Sequence, residues 1–455
     1  MPDYSRRDAL KSLAVLGAGA ALPAVRASTK PESSTKVEVL SPAGRVPLSF
    51  VIDDSTCLVN MGHFCTPQFA AAFPDRAQYQ RPWKEWPREI PDSFVREFGE
   101  WCAEHGVKGK YSIVPNPACV GYLDRELPGW SHRELQDSLK LVRELMVPNW
   151  DIHPEMITHT RVIDLKTGRP KPEIGPATIE NSYPQKKQSV DELAAYMAYA
   201  LRILKNCDLP CEGITTPGGF GNIMKPELSL AVQQAVNDVY APEIVHYFKY
   251  IHGADQSTDP ILEHVQGVGT DQLSFTANVP AGTGDWFGGW QGVDPSQGSK
   301  YCNEDATTGR MVELIQNNQP AVMLCHWPGM YCNGSKEGFH DFQKIVLALQ
   351  KRFGDRTIWM KLSEMARYKA AQEFTRIRKE ANQLQLDAPF SAANFTLRIP
   401  KAKPESPLIL RHDQQLTKLH RVPTLQGLVV NTWYQDKDAV IACIDLPKGE
   451  SRLTL

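Results

Sequence analysis

The sequence predicts an α/β fold, a distorted (β/α) barrel over residues 41–375, with a small C-terminal β-rich module over residues 376–455. Two observations carry this prediction. Short apolar runs alternate with amphipathic helical ones through most of the chain, the imprint of parallel strands joined by right-handed crossovers. Past residue 376 the alternation stops, and short strand-like runs follow one another with turn residues between them.

Each element has its own signal. Residues 47–54 (PLSFVIDD) predict a buried strand that ends in two carboxylates. Phe94, Val95, Phe98, Trp101 and Cys102 make one helical face, which Gly106 ends. A strand follows at 110–114. Ser131 and Glu134 form a capping box for a helix whose stripe is Leu135, Leu139, Val142 and Leu145. A short strand lies within 150–159, and Leu193, Met197, Leu201 and Leu204 mark a helix at 190–205. Next come a strand at 213–216 running into a Pro-Gly-Gly turn, a helix at 226–239 with Pro in its first turn, and a strand at 243–251. A helix at 308–317, a buried strand at 321–325 (AVMLC), a long helix at 337–353 and a strand at 357–362 complete the alternation. The charged, Gln-rich stretch 376–386 predicts a helical connector. Strand-like runs then fall at 395–399, 408–411, 427–433 and 439–444.

The N-terminus is a targeting segment. Ser5-Arg6-Arg7-x-x-Leu10-Lys11, an apolar run from Leu13 to Val25 and small residues near Ala27 resemble a twin-arginine signal peptide over residues 1–27. Its run is interrupted by Gly and Pro and is too short to span a bilayer. The expectation is a periplasmic or secreted protein exported by the twin-arginine machinery, without stable membrane insertion. Residues 28–40 open on STKPESSTK and predict a flexible linker. A formal net charge of −2 with no basic block argues against nucleic acid. Ten cysteines in a chain of this length are not a small disulfide scaffold. Cys57/Cys65, Cys207/Cys211 and Cys325/Cys332 are spaced either to pair or to be buried as small apolar groups, and the spacing leaves both open.

In an α/β barrel the chemistry sits at the C-terminal ends of the strands. Four polar groups fall there: Asp53-Asp54, Glu155 with His159, Thr216-Pro217-Gly218-Gly219, and His326 directly after AVMLC. Taken alone, each has a plain structural role: a helix cap, a solvated carboxylate, a satisfied histidine, a tight turn. Their joint placement in this order resembles the polysaccharide deacetylase family with the NodB-type fold, over residues 47–368. The resemblance implies Asp53 as general base and Asp54 as a metal ligand. Glu155-Met156-Ile157-Thr158-His159-Thr160 resembles the family's second motif, with His159 a ligand and Glu155 in the catalytic group. Leu324-Cys325-His326 resembles the late motif and implies His326 as general acid. Lys108 to Pro115 resembles the family's second strand.

Two departures are visible. Ile163 stands where the second motif carries another His, and Thr215 stands where the third motif carries the Arg that orients the catalytic Asp. The third ligand is therefore sought at His63, on a loop over the same face, or at His153, ahead of Asp164, which a one-residue shift points to the opposite side of a strand. An Asp with histidines suits a divalent cation, zinc foremost.

Aromatic residues supply the expected substrate surface: Trp286 and Trp290 among glycines, then Trp327 and Tyr331 after His326, with Pro217 and Gly218 at the turn. Exposed aromatics stack on sugar rings, while the same residues equally suit a buried cluster. The reading is an exported carbohydrate deacetylase acting on N- or O-acetyl groups of a glycan. Two alternatives stay open: a glycoside hydrolase or lyase using Asp53 or Asp54 with Glu155, and a sugar-binding protein that has lost its metal.

Overall fold

The Val46–Asp53 strand is buried along its whole length, and its apolar run is what a strand covered on both faces requires. The computed structural model describes residues 36–455 except 403, 405 and 406; the segment 1–27 expected to be a signal peptide and most of the expected linker lie outside the described residues. Val46–Asp53 pairs in parallel with Gly109–Ser112 on one side and Ala321–His326 on the other, while Trp150–His153 extends the sheet beyond Gly109–Ser112. Thr357–Trp359 adds a short parallel pairing at its start.

A second sheet places Gly213–Thr215, Val245–Phe248 and Ser274–Asn278 in parallel, with Ile261–Gln266 antiparallel at the edge. The two sheets are joined by single parallel bridges, Glu155 to Thr215 and Asp285 to Leu324. The expected barrel is thus a mixed α/β arrangement of separate sheets rather than one continuous closed ladder. At the first seam the strands Trp150–His153 and Gly213–Thr215 run only 4 and 3 residues, too short to sustain shared pairing.

The sequence-derived helices form where their periodicity places them. Asp92–Glu104, His132–Leu141, Val190–Asn206, Lys225–Val239 and Glu337–Phe353 bury their apolar stripes against the sheets. Capping boxes at Ser131/Glu134 and Ser189/Glu192 start two of them. Met61–Ala72 is a helix capped by Asn60, so His63 lies on a helix and not on a loop. Pro67 inside it is a residue that ordinarily ends a helix, which masks it in the sequence.

Residues 376–386 also differ from expectation. Arg376–Glu380 and Gln383–Ala388 form an antiparallel hairpin, with Leu384, Leu386 and Ala388 buried at period two. Two five-stranded sheets build the C-terminal region, and one of them recruits Glu38–Leu40 against Ala392–Pro400. These strands are docked: Val51, Val322 and Leu324 of the parallel sheet share an apolar cluster with Phe395, Leu397 and Ile444. All ten cysteines are free, and all but Cys119 and Cys332 are buried, which favours the apolar reading over pairing. No helix among the described residues is long and apolar enough to cross a membrane.

Candidate functional site

The polar strand ends meet at one edge of the first sheet. Ala321–His326 runs in register with Val46–Asp53, so His326 stands opposite Asp53. The Glu155–Thr215 bridge brings the segment after Trp150–His153 to the same edge. Three buried residues converge there: Asp54, Glu155 and His159 each offer a ligand atom, all within 4.8 Å of one another. His159 Nε2 lies 2.8 Å from Asp54 Oδ1 and 3.3 Å from Glu155 Oε1. The other Glu155 oxygen accepts the Asp54 backbone N–H at 2.7 Å.

Backbone strain marks the same place. Asp54, Met156 and His159 have φ of 59°, 53° and 64°, the left-handed region that costs non-glycine residues energy and collects at functional sites. Glu180 holds the strained loop. Its buried carboxylate accepts backbone N–H groups of Ile157, Thr158 and His159 at 3.2, 3.0 and 2.6 Å, and the Tyr196 hydroxyl besides. Burial pushes the Glu180 carboxyl up to about 7 against those hydrogen bonds.

A divalent cation fits this group. Asp54 Oδ1 is a buried oxygen whose nearest polar neighbour is His159 Nε2, 2.8 Å away, and which accepts no well-aligned hydrogen bond. Burial alone would lower the His159 pKa, yet the Asp54 and Glu155 charges raise it well above the ordinary value. Two carboxylates and one imidazole focused on one point are a borderline-hard donor set suited to zinc or manganese. Glu155 thus offers the third donor atom in a place where Ile163 cannot; the Ile163 side chain is buried in the core.

The residues favoured for that place are engaged elsewhere. His63 bonds the Trp86 carbonyl through Nδ1 at 2.9 Å and packs on Phe64 and Trp83. His153 Nε2 meets His246 Nε2 at 2.9 Å, and its Nδ1 meets Thr215 Oγ1 at 3.2 Å. Asp151 joins these two histidines in a second buried group. Both Asp151 oxygens accept hydrogen bonds from Ser363 N and Oγ at 2.7 Å, while His246 Nδ1 is buried without a partner. Asp164 is exposed and accepts the Lys166 N–H, on the far side as expected.

Two polar pairs flank the cluster. Burial and the Glu155 charge raise the Asp53 pKa, while Lys110 and His326 oppose them. Lys110, wholly buried on the neighbouring strand, donates to Asp53 Oδ1. His326 Nδ1 bonds Asp285 Oδ2 at 2.7 Å. Burial works against the charged imidazole, but the Asp285 hydrogen bond and the charges of Asp54, Asp285 and Asp53 carry its pKa up to about 9.

The aromatic residues divide. Trp290 is half-buried, edge-on to Phe69 and Tyr79, and Phe69 in turn meets the His159 ring at 6.2 Å. Trp286 is half-buried against Tyr301, and Tyr331 against Phe94. Trp327 is core: 1% exposed, packed on Phe94, Phe98 and Tyr111, and unavailable to a ligand. Pro217 is buried and Gly218 exposed in a turn packed on Asn181, where Gly219 N–H bonds the Asn181 carbonyl. Lys110, Glu180 and Asp285 were not singled out from the sequence. Only the buried-strand position of Lys110 and the place of Asp285 at the head of the aromatic loop hinted at them.

No family model matches the chain, and no curated protein matches it. Solved structures are similar at a distance. A probable polysaccharide deacetylase from Pseudomonas aeruginosa PAO1 is 12% identical over 71% of this chain and 91% of its own, with a TM-score of 0.39. A 4-alpha-glucanotransferase from Thermococcus litoralis is 11% identical over 70% of this chain and 40% of its own, TM-score 0.37. A mutant described as a CE4 family pseudoenzyme is 10% identical over 72% and 70%, TM-score 0.30. Likenesses this remote carry no functional weight, which leaves the residues of the site to do so.

Proposed function

We propose that the protein is an exported, metal-dependent hydrolase that removes acetyl groups from a glycan, on a distorted barrel of the polysaccharide deacetylase type. One observation carries the reading: Asp54, Glu155 and His159 converge on a single point, flanked by the Asp53–Lys110 and His326–Asp285 pairs. A divalent cation held by those three residues would supply Lewis-acid activation of water and of an acyl oxygen.

The protein's own groups do the rest. Asp53, at the strand end, takes the proton of the attacking water as general base. His326, protonated at neutral pH and held by Asp285, donates a proton to the departing amine or alkoxide. Trp290, on its aromatic support beside His159, offers a face for a sugar ring. Zinc is the first cation to test.

The deciding experiment measures metal content and acetate release from acetylated glycans for wild type, Asp54→Ala and His159→Ala. Wild type should hold about one divalent ion at this site and release acetate, and both variants should lose metal and activity. Full occupancy and activity in both variants would overturn the reading. Glycan shortening without acetate, insensitive to chelator, would point instead to a carboxylate-pair reaction.

A further inference from the structure

Lysine is almost never fully buried without a charged partner, and Lys110 has no exposed surface. It sits on Gly109–Ser112 opposite Val51, two residues short of Asp53 at the strand end that carries the site. Its ammonium has three protons to place, and the structure places all three. Nζ donates to the Ile52 carbonyl at 2.9 Å, to Ser112 Oγ at 2.8 Å and to Asp53 Oδ1. The Phe248 ring lies 5.6 Å from Nζ and covers it on a further side. Two of these bonds anchor the ammonium to its own and the adjacent strand, and the third holds Asp53.

Asp53 has no other side-chain hydrogen bond among the described residues, and 9% of its side chain remains exposed. Glu155 is the carboxylate that opposes its charge, and His326 favours it from a distance, but Lys110 alone adds a hydrogen bond to its charge. A neutral donor would serve Ile52 and Ser112 equally well. Only the Asp53 contact calls for a cation, because burying an ammonium is unfavourable unless a carboxylate shares it.

We propose that Lys110 is the positioning residue of the site: it fixes the orientation of the Asp53 carboxylate and leaves its second oxygen to meet the attacking water. This rests on the reading of Asp53 as general base. Lys110 touches no substrate and acts through Asp53.

The test compares Lys110→Met and Lys110→Arg, each alone and combined with Asp53→Asn, by crystal structure and by kinetics on an N-acetylglucosamine oligomer. In Lys110→Met the Asp53 carboxylate should shift by about 1 Å, and kcat should fall about 100-fold with KM unchanged, the loss typical of a misplaced reacting group. Metal content at Asp54, Glu155 and His159 should persist. Lys110→Arg should recover part of kcat. In the Asp53→Asn background, Lys110→Met should lower kcat no further.

An Asp53 carboxylate that stays in place in Lys110→Met overturns the proposal. So does an equal loss of kcat in both backgrounds, which is the mark of a purely structural lysine. If Lys110→Met does not fold, Lys110→Arg carries the test: a displaced Asp53 with full kcat overturns it, and a retained contact with partial kcat supports it. If wild type hydrolyses no acetylated glycan, the hydrolase reading fails by itself, and the crystal structures still decide whether Lys110 holds Asp53.

Discussion

His326 shows how one residue acquires its chemistry from neighbours that are distant in sequence. Its position after AVMLC was legible, because an apolar strand ending in histidine is a local pattern. Its protonation was not. Asp285 supplies the hydrogen bond, and Asp54 and Asp53 add charge, which together outweigh burial and hold the pKa at about 9. The imidazolium is present below that pH and is lost above it. For a general acid, kcat/KM should therefore fall on the alkaline side, with an inflection above that of an ordinary histidine because Asp285 stays bonded to the imidazolium. Asp285→Asn removes the bonded charge and should move that inflection down by about one unit or more. A pH–rate profile of both proteins checks this; an unmoved inflection would exclude Asp285 as the cause.

At the scale of elements, the decisive piece is the loop from Glu155 to Thr160, which has no regular structure and holds Met156 and His159 at left-handed φ. Glu180 keeps it in shape by accepting three backbone N–H groups. Glu180→Ala would leave those buried donors unpaired, at a loss of about 3 kcal/mol in unfolding free energy. It should also abolish metal retention, because Glu155 and His159 lose their fixed geometry. Denaturant unfolding and metal analysis on one preparation test both; stability within about 0.5 kcal/mol of wild type would show that the loop stands without Glu180.

The same scale explains which elements were readable. Helices with caps and a clean stripe, such as Val190–Asn206, announce themselves. Met61–Ala72 does not, since Pro67 and a nearly uniform apolar content blur its period. Residues 376–386 look helical in sequence because the charged, Gln-rich strands of this hairpin face outward, and only Leu384, Leu386 and Ala388 betray the alternation.

For the whole molecule, the address and the chemistry are separable claims. The Ser-Arg-Arg-x-x-Leu-Lys opening proposes export of the folded chain, which would suit the proposed metal enzyme by letting it load its cation before release. Arg6→Lys with Arg7→Lys should hold the precursor inside the cell while leaving hydrolysis by the isolated protein unchanged. Fractionation followed by assay distinguishes the two; normal export of the double variant would remove the twin-arginine proposal.

The sequence by itself determined the alternation of strands and helices, the strand-end positions of Asp53, Asp54 and His326, and the candidate pair Glu155 and His159. Those features are local: a period, a cap, an apolar run that stops at a polar residue. Only the packing of distant segments shows that Glu155 converges with Asp54 and His159, that His63, His153 and Trp327 are engaged elsewhere, and that Lys110, Glu180 and Asp285 surround the cluster. Each of these depends on which strand lies beside which and on what a side chain meets across that gap. Pairing between strands far apart in sequence is set by burial and register, and neither is written in any single segment.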